Sequence, residues 1–278
     1  MYISAHLTGG IGNRLFEFAA ALGLAEKWSA QPVFLLPCCG ATNHGPFDTI
    51  FKMFPTIPIV ETLPSWIRLE EAKGGVFTYT PFSDSPPADK AAVVCGYRQS
   101  PRYFPSSGVH CQLTELVDAQ EWSSLLKTYS LTELSDRMKT VFLHVRLGDY
   151  KILPHHQVNL QNYYIQCLQR LPPHSRILFF SDEPELVREI FQHVVQALGH
   201  SFQCVTESDE VKSLALMSQC WRGAITANST FSWWGAYFAR QRCPTSSEFL
   251  AFYPDIWGQG LPPATDVIPS WGTRVSVN

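Results

Sequence analysis

Between residues 140 and 240 the apolar positions follow two alternating rhythms, and the alternation predicts a fold. Residues 141–145 form a short apolar run of strand length. Leu160, Tyr163, Tyr164, Cys167, Leu168 and Leu171 then recur at helical spacing, and 177–180 returns to a strand run. Val187, Ile190, Phe191, Val194 and Leu198 mark a second helix. After it come a strand at 202–205, a helix at 209–220, a strand at 223–227 and a helix at 230–240. Strands separated by helices need crossover connections, so the series predicts a parallel, doubly wound sheet.

The amino-terminal end repeats the motif on a smaller scale. Residues 2–7 read as a strand and Thr8-Gly9-Gly10-Ile11-Gly12-Asn13 as a tight loop. A helix is expected from Arg14 to about Lys27, with Leu15, Phe18, Ala19, Leu22 and Ala25 as its buried stripe, followed by a strand at 33–36. The glycines approach a dinucleotide fingerprint, but Leu15 stands where its third glycine belongs, so a nicotinamide site is a weak reading. A glycine turn opening a helix still presents N–H groups to an anion, and Asn13 adds a side-chain donor. Residues 38–135 are less regular, broken at Pro55, Pro58, Pro64, Gly74-Gly75 and Ser85-Pro86-Pro87, with one strand expected at 93–97. Loop-rich structure of this kind is where an enzyme often shapes its acceptor.

Length and charge narrow the class. A chain of 278 residues favours two domains, divided here at about 135 and 136. With 45% hydrophobic and 16% charged residues it is globular and ordered. A formal charge of -3 with no basic block gives no footprint for nucleic acid or an anionic membrane. The eight cysteines lack zinc-type spacing, and several fall in apolar periodic segments, which suits buried free thiols in a reducing compartment. No run reaches the length of a membrane span, and no signal-peptide pattern precedes the first strand. A cytoplasmic protein, or a soluble catalytic domain of a larger one, is the expectation.

Four polar clusters each follow a predicted strand: Arg146 to Asp149, Ser181-Asp182-Glu183, Thr206-Glu207 and Asn228-Ser229-Thr230. In an open α/β sheet the loops at the carboxyl ends of the strands form the ligand crevice, so the four are expected to converge. Arg146 offers a planar fork of donors suited to phosphate or carboxylate. Taken alone, the stretch around it favours a simpler reading, an Arg146–Asp149 ion pair closing a surface loop. Asn228-Ser229-Thr230 opens a helix, where hydroxyls and backbone N–H groups suit a diphosphate; plain capping is the alternative, and the two are compatible. Trp233-Trp234 suits either the core or stacking on a ligand, and His155-His156 either solvent or a metal.

These residues also carry a resemblance. His144-Val145-Arg146-Leu147-Gly148-Asp149-Tyr150, Gly9-Gly10-Ile11-Gly12-Asn13-Arg14-Leu15-Phe16, Gly96-Tyr97-Arg98-Gln99-Ser100-Pro101-Arg102-Tyr103-Phe104 and Leu216-Met217-Ser218-Gln219-Cys220 resemble blocks of the α-1,2-fucosyltransferases. So do Ile268-Pro269-Ser270-Trp271 and, at greatest length, Ala227-Asn228-Ser229-Thr230-Phe231-Ser232-Trp233-Trp234-Gly235-Ala236-Tyr237. The blocks keep the family's order across nearly the whole chain. Leu147 departs from it, since a second Arg is common there, and Glu183 stands where an Asp is common.

The resemblance implies an α/β enzyme of GT-B type, with two Rossmann-like domains facing a cleft. Its implied reaction moves L-fucose from GDP-fucose to a sugar hydroxyl, usually O2 of galactose, with inversion and without a metal. The partners are then GDP-fucose and a glycan or glycoside acceptor. The first domain is expected to be the acceptor side and the second the GDP-sugar side. The expected donor-binding set is Gly10, Gly12, Asn13, Arg14, His144, Arg146, Ser181, Asp182, Asn228, Ser229, Thr230, Phe231 and Ser232. Arg146 is expected to grip the pyrophosphate and Asp149 to act as base, with Glu17 and His6 behind it. Metal-using sugar transferases commonly hold their cation through Asp-x-Asp, which this sequence lacks.

Overall fold

A computed structural model describes residues 1–39, 47–63, 65–86 and 90–278, the side chain of Asp149 excepted; the breaks read at Pro64 and Pro87 lie outside these residues. The chain divides into two compact units, Met1–Leu116 with Pro262–Pro269, and Val117–Leu261 with Ser270–Asn278.

The first unit contains β1 (Tyr2–Ala5), α1 (Ile11–Lys27), β2 (Gln31–Pro32), β3 (Phe34–Leu35), α2 (Thr49–Met53), β4 (Ile59–Val60), β5 (Trp66–Leu69) and β6 (Ala91–Val94). Its main sheet has the order β2-β1-β6-β5, and every pair is parallel. β3 and β4 form a separate parallel pair. α1 is buried nearly all round, because Leu15, Phe16 and Phe18 leave no surface to water and Ala19, Ala20 and Ala21 allow close approach. Phe18 stacks on Phe34 with ring centroids 4.2 Å apart, which pins the helix to the strand after it. α1 begins at Ile11, three residues before the expected Arg14, because the glycine loop itself winds into the first turn.

The second unit contains α3 (Ala119–Thr128), α4 (Leu134–Arg137), β7 (Thr140–Val145), α5 (Gln161–Gln169), β8 (Arg176–Ser181), α6 (Pro184–Ala197), β9 (Ser201–Cys204), α7 (Glu210–Met217), β10 (Gly223–Ile225), α8 (Thr230–Arg242), β11 (Leu250–Pro254) and β12 (Thr273–Val275). The break between units falls at Leu116 and Val117, earlier than 135. The reason lies in the residues of and just after α3: Glu121 pairs with Lys212, Thr128 O accepts from Gln203 Nε2, and Tyr129 Oη accepts from Thr206 N.

The six strands of this unit are all parallel, in the order β12-β11-β10-β7-β8-β9. Val141, Leu143 and Val145 face a core filled by Tyr163, Tyr164, Cys167 and Leu168 of α5 and Val187, Phe191 and Val195 of α6. On the opposite face Phe142 meets α8 at Gly235, beside Met217 of α7. Alternation along a fully buried strand therefore assigns two helices to each side. The expectation of an α/β chain with parallel sheets is borne out. Cys38, Cys39, Cys95, Cys167, Cys204, Cys220 and Cys243 are free thiols. Among the described residues no helix is long and apolar enough to cross a membrane.

Candidate active site

Strand order decides which loops can meet. From β7 the chain moves through β8 to β9 on one side, then returns to β10 on the other side of β7 and continues outward to β12. This reversal is the topological switch point of a doubly wound sheet, and the crevice opens at the carboxyl ends of the two strands that flank it, β7 and β10. Arg146 follows β7 and Asn228 lies just beyond β10. Ser181 and Asp182 come at the end of β8, one strand further. Thr206-Glu207 does not join them: β9 is the outer strand, and the Thr206 backbone is bonded to Tyr129 instead.

The Arg146 turn is held by Asp182. One carboxylate oxygen accepts from Leu147 N at 2.9 Å, and the other lies 3.3 Å from the Arg146 guanidinium. The Arg146 side chain keeps 34% of its surface, enough to meet a ligand. Gly148 permits a close approach, since a Cβ there would stand 2.5 Å from Asp182 Oδ2 and push that carboxylate aside. The Asp149 side chain, expected to be the base, lies outside the described residues. Lys151 pairs with Glu183 on the outer side of the same turn.

His144, two residues before Arg146, is buried, and its Nδ1 meets no hydrogen-bond partner among the described residues. Burial pushes its pKa down to about 3, helped by the Arg146 charge and opposed by Asp182, so the imidazole is neutral. It lies against Phe231 with ring centroids 5.7 Å apart, which seats the start of α8 on β7.

Around β10 the polar groups divide by role. Asn228 is buried; its Nδ2 donates to Trp257 O at 3.1 Å and to His156 O at 3.4 Å, and its own carbonyl accepts from Tyr150 Oη at 3.1 Å. It therefore ties three loops together. Ser229 caps α8, its Oγ accepting from Phe231 N at 3.3 Å. Ser232 is wholly buried, donating to Ser229 O and accepting from Ala227 N. Ser229, Thr230 and Phe231 stay half-buried at the helix end, where backbone N–H groups and the helix dipole favour an anion.

Beside Arg146 lies a cavity of about 400 Å³, with Arg146, Tyr150, Lys151, His156 and Asn228 on its polar side and Tyr164, Ile190 and Phe191 on its apolar side. That volume lies within the range of small-molecule sites. His156 stacks on Tyr150 at 4.5 Å. Among the described residues no cluster of His, Cys, Asp and Glu could hold a metal ion. Trp233 and Trp234 have no exposed surface and pack on each other, Tyr237 and Phe238, so the core reading of that pair is the correct one.

The remaining predicted residues belong to the first unit. Gly10 occupies the N-cap of α1 without a side-chain cap, and Gly12 and Asn13 form its first turn. Arg14 is fully buried, with Nε donating to Gly9 O at 2.8 Å. Glu17 is also buried and receives Thr8 N and Thr8 Oγ1, each at 2.7 Å. Burial pushes its carboxyl up to about 8, against the opposing Thr8 bonds and Arg14. His6 follows β1, and burial together with Arg68 lowers its pKa, with Glu70 opposing. Tyr150, Tyr164 and Trp257 are absent from the predicted set. Tyr150 lies inside a block that the sequence singles out, whereas nothing local marks Tyr164, which donates to His144 O at 2.9 Å, or Trp257.

Known proteins resemble this chain along most of its length. An Escherichia coli protein named alpha-1,2-colitosyltransferase is 25% identical over 266 residues, covering 84% of this chain and 87% of its own. The Escherichia coli O-antigen biosynthesis glycosyltransferase WbnK is 28% identical over 315 aligned positions, covering 95% and 98%. Among solved structures, NodZ alpha-1,6-fucosyltransferase co-crystallized with GDP has 14% identity and a TM-score of 0.49, covering 87% of this chain and 92% of that one. The description of glycosyl transferase family 11 matches residues 84–245, which contain both the Arg146 turn and the Asn228 helix start, and the chain belongs to that family.

Proposed function

We propose that this glycosyltransferase moves L-fucose from GDP-fucose to a sugar hydroxyl, O2 of galactose or of a similar hexose, with inversion and without a divalent cation. The observation that carries the reading is the position of Arg146: a partly exposed guanidinium at the switch point, across β7 and β10 from the capped start of α8. Displacing a nucleoside diphosphate from a sugar builds negative charge on the leaving phosphate. A fixed guanidinium and helix-end N–H donors stabilise that charge as it develops. Neutral His144 supports the turn without competing for the anion. Asp149 is assigned to the acceptor proton from its place in the His144–Tyr150 block, and Asp182 to orienting Arg146. Metal independence is supported by the lack of any Asp-x-Asp in the sequence.

A second donor is favoured by the similarity to a protein named for colitose transfer. The leaving-group chemistry is the same, so only the sugar-facing contacts would differ. Purified protein incubated with a β-galactoside and GDP-fucose, GDP-colitose, GDP-mannose or UDP-galactose separates the readings. GDP-fucose should give the highest kcat/KM, and the rate should survive EDTA. Turnover that EDTA abolishes and manganese restores, or preference for a donor other than GDP-fucose, would overturn the corresponding part of the proposal.

A further inference from the structure

The Gly96–Phe104 block stands out in the sequence, yet none of its residues enters the donor chemistry above. It follows β6, a central strand of the first unit's parallel sheet, and so begins at the carboxyl-end side where such sheets bind ligands. Its first residues form an over-determined turn. Gly96 has φ +88° and Arg98 has φ +48°, the left-handed region that disfavours a side chain such as arginine. A Cβ on Gly96 would stand 2.3 Å from Glu71 Cβ, so only glycine fits.

Glu71 closes the turn from below, one oxygen accepting from Tyr97 N at 3.1 Å and the other from Arg98 N at 2.9 Å. The Arg98 side chain is turned inward, donating to Cys95 O at 3.0 Å and Leu69 O at 2.7 Å, and is buried. Gln99 donates to Asn13 Oδ1 at 3.2 Å, which joins the turn to the glycine loop at the start of α1. All this ordering presents one side chain outward: Tyr97 keeps 40% of its surface. Packing accounts for the inward half of the turn, where Arg98 lies over the Phe82 and Tyr103 rings at 4.9 and 5.5 Å, and leaves the exposed Tyr97 ring as the part it does not use.

The surrounding charge selects the ligand class. Glu70 and Glu71 follow β5 at the same end of the sheet, and Arg68 is already paired with Glu70 at 2.5 Å. The Glu17 and Glu71 carboxylates lie close enough to Tyr97 to raise its phenol, after burial as the main cause. A diphosphate is disfavoured there because the nearby guanidiniums are already committed, Arg68 to Glu70 and Arg98 to the Cys95 and Leu69 carbonyls. An uncharged polyol is not, because its hydroxyls donate to acceptor oxygens while its C–H face covers an aromatic ring.

We infer that Tyr97 is the stacking platform for the acceptor sugar, a neutral hexopyranose held at the carboxyl end of the first unit's sheet. The inference rests on the transferase reading and adds the acceptor's seat and class. The turn fixes the backbone and leaves the ring to take the C–H face of the hexose.

The test combines kinetics with direct binding, using lactose as the probe. Tyr97→Ala should raise the acceptor KM at least about tenfold, a difference of about 1.4 kcal/mol, while the KM for GDP-fucose stays within about threefold. Tyr97→Phe and Tyr97→Trp should restore the acceptor KM, which a merely structural defect would not allow. Saturation-transfer NMR without donor should show lactose protons receiving magnetisation from the wild-type protein and not from Tyr97→Ala. Lactose held equally by both proteins, or an unchanged acceptor KM in a folded Tyr97→Ala protein, overturns the inference. Absence of fucose transfer by the wild-type protein instead overturns the transferase reading, and the NMR arm still decides whether Tyr97 holds a sugar.

Discussion

Replacing Arg146 by Ala separates a donor clamp from a loop brace, because the two roles differ in magnitude and in the quantity they affect. The Arg146 and Asp182 groups are 3.3 Å apart, with 34% and 23% of their side-chain surface exposed. An ion pair at that exposure contributes at most about 1 kcal/mol. Asp182 keeps its bond from Leu147 N when the guanidinium is gone, so no carboxylate is stranded without a partner. Arg146→Ala should therefore lower the melting temperature by no more than about 4 °C. Loss of a preorganised charged donor from a developing anion costs about 3–4 kcal/mol, a fall in kcat on the order of 100- to 1000-fold. The bond strengthens as the leaving phosphate gains charge, so kcat should fall more than KM rises. Arg146→Lys should recover little, since a point charge does not reproduce a two-pronged contact. Steady-state kinetics at saturating GDP-fucose, alongside circular-dichroism melting, measures both quantities. A folded Arg146→Ala protein with kcat within about threefold of wild type would refute the clamp and leave the brace.

Gly148→Ala should displace the Asp182 carboxylate from 2.5 Å and disturb Arg146 with it, lowering kcat on the order of 10- to 100-fold with little change in melting; unchanged kinetics would show that the turn adapts. Glu17 has its carboxyl pushed up to about 8 from 4.5, chiefly by burial, so between those values the folded chain holds a proton that the unfolded chain releases. Its contribution is complete below the lower value and is lost as pH rises through the window, by up to about 1.4 kcal/mol per unit. Glu17→Gln should flatten urea-measured stability between pH 5 and 8, and an unaltered slope would assign that dependence elsewhere.

Much of the second unit was legible in the chain because its helices and strands differ in period and each is long enough to show it. The stripe Tyr163, Tyr164, Cys167, Leu168 became the buried face of α5, and the apolar run at 141–145 became the wholly buried β7. The first unit was harder to read where β2, β3 and β4 have only two residues each, too few to show alternation. β5 escaped for a related reason: its half-exposed Trp66–Leu69 takes its register from β6, not from a pattern of its own.

Local sequence determined that Arg146, Ser181, Thr206 and Asn228 would each lie at or just past the end of a strand, because strand ends are set by the residues themselves. Only the tertiary structure decided which of these loops share a crevice. That depends on strand order, and the order β12-β11-β10-β7-β8-β9 brings Asn228 beside Arg146 and sends Thr206 to the edge. The same holds for partners: the pairing of Arg146 with Asp182 from the neighbouring strand joins segments far apart in the chain, and no local spacing marks it. Side-chain type and spacing are properties of the chain, whereas proximity between distant segments comes from burying both faces of a sheet, and no short stretch encodes it.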